Sequence, residues 1–105
     1  MKNMFSGDMM KQVKQMRDQL KKAQKELEKE TVTGRAGGIV EVVMTGNQKC
    51  TSINIDENEL PNLSANRLGA LVTQATNDAL DKSRKLMAKK LGPLSGGLGG
   101  LSGLK

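Results

Sequence analysis

Two groups of cations hold the chemistry that this chain can do. Lys11, Lys14, Arg17, Lys21, Lys22 and Lys25 stand near the N-terminus, and Lys82, Arg84, Lys85, Lys89 and Lys90 near the C-terminus. Amines and guanidinium groups at this density attract polyanions, phosphate above all. Between the groups the balance reverses: Glu26, Glu28, Glu30, Glu41, Asp56, Glu57, Glu59, Asp78 and Asp81 outnumber Lys29, Arg35, Lys49 and Arg67. Over the whole chain Lys and Arg number 17 against 11 acids, a formal charge of +6. The pI near 9.7 points the same way. Two basic ends therefore flank an acidic middle.

Other chemistry is poorly supplied. With no histidine and the single Cys50, zinc sites by the usual ligand rules are excluded. A serine or cysteine nucleophile would lack its commonest general base. Glu57 and Glu59 sit in a loop without a partner spacing for metal catalysis, and no Walker-type lysine follows a glycine loop. We expect no enzyme, no cofactor and no small-molecule substrate. Cys50 has no partner for an internal disulfide. With no apolar leader in the first ten residues, a reducing cytoplasm is the expected compartment. Nothing approaches the roughly 18 apolar residues of a membrane span. Phe5 is the only aromatic residue, so a base-stacking platform for single strands is missing. A nucleic-acid partner should thus be duplex DNA, held mainly by its phosphates with little sequence preference.

The elements that position these cations are legible in the apolar spacing. Met9, Val13, Met16, Leu20, Ala23 and Leu27 alternate four and three apart, a heptad seam. The seam is too narrow to cover a sheet and suits one partner helix, in an antiparallel or inter-chain coiled-coil arm. Numbering it a and d puts Lys11, Lys14, Lys21, Lys22, Lys25 and Lys29 on the opposite side. Met9, Val13, Met16 and Leu20 are the expected dimer interface, since a small core favours self-association. This helix should run from near Ser6 or Gly7, with Asp8 in its first turn, to about Lys29. A short strand follows from Thr31, with Gly34, Gly37 and Gly38 marking a turn. Ile39 to Thr45 and Lys49 to Asp56 read as strands joined by a hairpin at Gly46 and Asn47. In the last of these, Thr51, Ile53 and Ile55 should share a face opposite Cys50, Ser52 and Asn54. A second helix is expected from about Ala65 to Leu91, with Leu68, Leu71, Val72, Ala75 and Ala79 lying on the sheet, ended by Gly92 and Pro93. The fold class is α+β, in the order α-β-β-β-α with a three-stranded antiparallel sheet and two long helices. Residues 1–91 form a single domain. Residues 92–105 form a flexible Gly/Leu-rich tail in which Leu94, Leu98, Leu101 and Leu104 recur.

Several stretches together resemble the YbaB/EbfC family. They are Met9, Met10, Lys11 and Gln12 onward to Lys22, then Val32 through Gly38 with Val42. Gly46, Ile53 to Asp56 and Ala75 to Ala79 complete them. The likeness runs from the N-terminus to about Gly92, and the order of features is more specific than any one of them. It implies a bacterial nucleoid-associated protein in the cytoplasm, a homodimer whose helices project like tweezers and bind DNA. It also implies a capacity to alter DNA conformation and gene expression. No residue roles transfer, so the DNA-contacting residues expected here rest on charge and helical geometry.

If the first helix enters the sheet and the second leaves it, the two basic groups should converge at one distal end and grip phosphates together. Pairing within each helix, Asp18 with Lys22 and Asp81 with Lys85, is the competing use of these charges. The alternative function is a helical protein-interaction adaptor that uses Met9, Met10 and Met16 and binds no DNA. A basic helix lying on anionic lipid fits the charge but not the narrow apolar face, and no membrane partner is expected.

Overall fold

Val40, Val42 and Met44 alternate with Glu41, Val43 and Thr45, a period of two that buries one side of a β-branched run. That run is the middle strand of the sheet. The structure, a computed structural model, describes residues 2–97 and the side-chain surroundings of residues 9–94. Element order is α1 (Lys2–Lys29), β1 (Thr31–Ala36), β2 (Val40–Thr45), β3 (Cys50–Ile55), a 3-10 turn (Leu60–Asn62) and α2 (Ala65–Gly97). The three strands form one antiparallel sheet in the order β1-β2-β3. The α-β-β-β-α arrangement and the meander are therefore as the sequence predicts. The tail leucines Leu98, Leu101 and Leu104 lie outside the described residues.

Four details differ from expectation, each for a physical reason. Gly34 is a strand residue paired with Val42, not part of the turn. A Cβ there would overlap the Ala75 carbonyl oxygen and the Ala79 nitrogen, so its hydrogen lets α2 lie directly on β1. The turn is made by Gly37 and Gly38, both with positive φ. A register shift between Val43 and Met44 sets Cys50 across from Met44. Thr51 becomes the extra residue of the bulge, which interrupts the expected alternation at the start of β3. Helix α1 begins at Lys2 rather than Ser6, because one interior glycine, Gly7, costs only about 1 kcal/mol relative to alanine. Helix α2 continues through Pro93 to Gly97. Pro93 gives up the bond to the Lys89 carbonyl, and Pro93 and Leu94 line an open hollow with Gln19, Lys22, Ala23 and Glu26 of α1.

The core lies between β1, β2 and the first half of α2: Ala36, Val40, Val42, Met44, Leu71, Ala75 and Ala79. Strand β3 lies beyond the cover of α2. It is exposed along nearly its whole length, and Ile53, level with buried Val42, is 47% exposed. With principal extents of 74 × 29 × 16 Å and a radius of gyration of 20.3 Å, the molecule is far longer than the roughly 13 Å radius of a compact chain this size. The excess length is α1.

Candidate nucleic-acid interface

Helix α1 crosses from the body of the molecule into solvent, and its seam divides accordingly. At the root, Ala23 and Leu27 are buried, Leu27 to 2% exposure. Toward the tip, Met9 is 55%, Val13 54% and Leu20 40% exposed, and Met16 is half-buried. The root half is thus covered by the chain's own β2–β3 turn and α2, while Met9, Val13 and Leu20 of the tip half are exposed and Met16 is partly covered. That is the antiparallel pairing anticipated from the heptads, confined to about two turns.

The root is fixed through the β2–β3 turn. The Gly46 N–H donates to the carbonyls of Leu27, at 2.9 Å, and Glu30, at 3.0 Å, occupying acceptors that the last turn of α1 would otherwise leave open. A Cβ on Gly46 would lie 2.6 Å from Leu27 Cδ2, 3.0 Å from the Leu27 carbonyl oxygen and 3.1 Å from Leu86 Cδ2, so a larger residue would push the leucines of both helices off the turn. From α2, the buried Ser83 hydroxyl donates to the carbonyls of Thr45 and Gly46, at 2.9 and 3.1 Å. The Thr45 hydroxyl in turn bonds the Asn47 side chain. The last turn of α1 and the Ser83–Leu86 turn of α2 therefore meet on one hairpin, and this junction sets where the arm points.

On the arm, Lys11, Lys14, Arg17, Lys21, Lys22 and Lys25 are all exposed. None has an acid within ion-pair distance among the described residues, and Asp18 leaves Lys22 free. Lys11, Lys14 and Arg17 line an open hollow with Met9, Met10 and Val13. Lys21, Lys22 and Lys25 line another with Asp18, Glu26 and Lys29. The arm thus carries six exposed cations, with Asp18 and Glu26 beside three of them and, among the described residues, no ion pair to any.

The cations of α2 are placed otherwise. Lys82 donates to the Thr33 carbonyl at 2.8 Å and pairs with Asp78 at 3.2 Å. Asp78 also accepts the Arg35 backbone N–H at 3.0 Å. That N–H, then Lys82, holds the Asp78 carboxyl below the usual carboxylate range. Arg84 lies 3.9 Å from Asp81, which takes it rather than the expected Lys85. Lys90 lies between Glu30, at 2.8 Å, and Glu26, at 3.1 Å. Those two carboxylates, Glu30 first, hold its ammonium above the usual lysine range. Lys85 and Lys89 are exposed and, among the described residues, have no acid within ion-pair distance. The expected convergence of both basic groups is partial: Lys22 and Lys90 line one hollow with the end of α2, but the two groups do not meet at one distal end. Because α2 spends Leu71 to Ser83 on the sheet, Lys82 and Arg84 are still at sheet level and Lys90 reaches only the root of α1. Lys11, Lys14 and Arg17 extend beyond them. The root junction of Gly46, Ser83 and Lys90 was not foreseen from sequence, although the Gly46-Asn47 turn signal marked one of its members.

Among the described residues no helix is long and apolar enough to cross a membrane, and no group of three or more His, Cys, Asp or Glu residues is placed to hold a metal ion. Comparison with known proteins extends the picture. The chain is 39% identical over 93 residues, 88% of its length and 82% of the relative's, to a protein of Pelodictyon phaeoclathratiforme named nucleoid-associated protein. A Dictyoglomus turgidum protein of the same name is 36% identical over 99 residues, 93% of each chain. In fold, the chain resembles an uncharacterized Helicobacter pylori protein, HP0035, with a TM-score of 0.65 at 16% identity, covering 86% of this chain and 91% of that one. The model of the YbaB/EbfC DNA-binding family matches residues 1–98, so the sheet, both helices and the cationic arm all fall inside the match, and the chain belongs to that family.

Proposed function

We propose that this chain is a nucleoid-associated protein that holds duplex DNA mainly by its phosphate backbone, with low sequence specificity, and that it acts as a homodimer in the nucleoid. The observation that carries this reading is the set of exposed cations on α1, none of which has an acid within ion-pair distance among the described residues. Lysine acts there as a point charge and reads phosphate position rather than base identity. Lys85 and Lys89, also unpaired, add to the field beside the arm root. Lys82, Arg84 and Lys90 contribute less, because each already faces an acid of its own chain. The absence of tryptophan and tyrosine favours duplex over single strands. The tip of the seam, Met9, Val13, Met16 and Leu20, is the surface we assign to the second copy. Two arms held together there would present both sets of cations to one duplex and alter its path.

Counterion release supplies the test. A dimer that neutralises about six phosphates loses about 10³-fold in affinity between roughly 50 and 200 mM salt. Fluorescence anisotropy on two unrelated duplexes should show this steep loss on both. Reversing Lys21, Lys22 and Lys25 to Glu should weaken both duplexes alike. A flat salt response overturns the phosphate grip, and a loss confined to one duplex replaces it with base readout.

A further inference from the structure

We infer that Lys90 is a positioning residue of the arm: its ammonium pins α1 to α2 and so aims the phosphate-gripping cations, without touching DNA itself. The inference rests on the DNA reading above, but its geometric half stands independently of it. Lys90 Nζ is held at 2.8 Å from Glu30 and 3.1 Å from Glu26, carboxylates one helical turn apart at the end of α1, and its side chain is 27% exposed. One cation between two carboxylates leaves that spot with a net charge of −1, which repels a phosphate rather than receiving one. Without Lys90, the two carboxylates would face each other at i,i+4 beside the negative end of the helix dipole, where both interactions are unfavourable.

The position matters because of leverage. The Gly46 bonds hold α1 at Leu27 and Glu30, close to the point where the helix meets the sheet, and they resist sliding more than tilting. Lys90 grips the same turn from the side, through the carboxylates of Glu30 and Glu26 that stand off the helix axis, so it ties α1 laterally to α2 and opposes tilt away from it. From Glu26 to Lys11 is about 22 Å of helix at ~1.5 Å per residue. A tilt of about 10° there displaces Lys11 by about 4 Å, comparable to the reach of one ion pair.

The arm direction is read in the full-length chain without DNA. Spin labels go on Gln12→Cys and Thr73→Cys in a Cys50→Ser background, with labelled chain diluted into unlabelled so that only distances within one chain are seen. All three positions are exposed. We expect a narrow distance distribution in the parent and in Lys90→Arg. In Lys90→Gln, and separately in Glu26→Gln with Glu30→Gln, the distribution should broaden or shift by about 4 Å. Helical circular dichroism checks that each variant is folded. On DNA, Lys90→Gln should bind severalfold more weakly with the parent's salt slope, and Lys90→Arg should restore affinity. The carboxylate pair variant should also bind more weakly, although it adds two positive charges to the balance. Unchanged distances in Lys90→Gln or in the carboxylate variant overturn the inference. So does a salt slope reduced by about 0.9 per chain in Lys90→Gln, the mark of a lost phosphate contact. If the parent bound no duplex, the DNA reading would fall, and the distance distributions would still decide whether Lys90 aims the arm.

Discussion

At the scale of single residues, the glycines separate positions that look alike in the sequence. Gly34 and Gly38 stand four apart in a glycine-rich stretch, and both read as turn residues. Only Gly38 is one. Gly34 instead underlies Ala75 and Ala79, where a methyl group would meet backbone rather than a flexible side chain. Substituting Gly34→Ala should therefore cost about 3 kcal/mol, the upper end for overpacking, because neither α2 nor β1 can yield without moving the other. Urea denaturation monitored by circular dichroism would measure it, and a change under about 1 kcal/mol would mean that α2 does not sit on β1 as described. The misreading has an identifiable cause. A glycine needed for close approach and a glycine needed for positive φ are chemically the same residue, and only the partner across the interface distinguishes them. The signal that was present lay elsewhere in the chain, in small residues at Ala75 and Ala79, one turn apart on the face that meets the sheet.

At the scale of elements, the heptad seam of α1 was legible as a seam but not as two halves with different partners. Period and polarity say that Met9 through Leu27 face something; they are silent on whether that something is the same chain. The division follows from where Gly46 and Leu86 lie, which is decided by the hairpin and by the length of α2. Two substitutions separate the halves. Leu27→Ala removes a buried side chain at the root and should cost about 2–5 kcal/mol of stability. Val13→Asp paired with Leu20→Asp, on the open half, should leave helix content and the sheet intact, since neither side chain is buried by its own chain. In sedimentation equilibrium at micromolar protein, the parent should show the mass of a dimer and the double variant that of a monomer. A parent that is already monomeric would remove the dimer, and a double variant that stays dimeric would move the interface elsewhere. Exposed β3, which ends the sheet without cover from α2 and includes the exposed Ile53, would then be the surface to test. The strands themselves were easier to read than their cover, because alternation of Val40, Val42 and Met44 reports burial on one side, whereas the exposure of Ile53 depends on how wide α2 lies.

At the scale of the whole molecule, charge and shape act together. The basic ends and acidic middle visible in the sequence become, in three dimensions, an arm whose cations have no acid partner among the described residues and a body in which Arg35, Lys82, Arg84 and Lys90 each face an acid. Sequence separation alone made the two basic groups look equivalent, and an antiparallel pair of helices suggested that they would meet. What sequence could not supply was the register: α2 occupies the sheet as far as Ser83, so its lysines flank the root, level with Lys22 at most, while Lys11, Lys14 and Arg17 of α1 extend past it. The distinction has a measurable consequence in the salt dependence of binding. Replacing Lys11, Lys14 and Arg17 with glutamine removes three cations with no acid partner among the described residues, and at about 0.9 per phosphate contact the slope of log affinity against log salt should fall by up to about 2.7 per chain. Replacing Lys82 and Arg84 with glutamine removes two cations that Asp78, Asp81 and the Thr33 carbonyl already engage, so that slope should change by less than about 1. Because both variants lower the net charge, a long-range field alone would make their effects proportional to the charge removed. A phosphate grip localised on the arm makes them unequal, and equal losses per charge would return the basic stretch of α2 to the DNA-contacting surface.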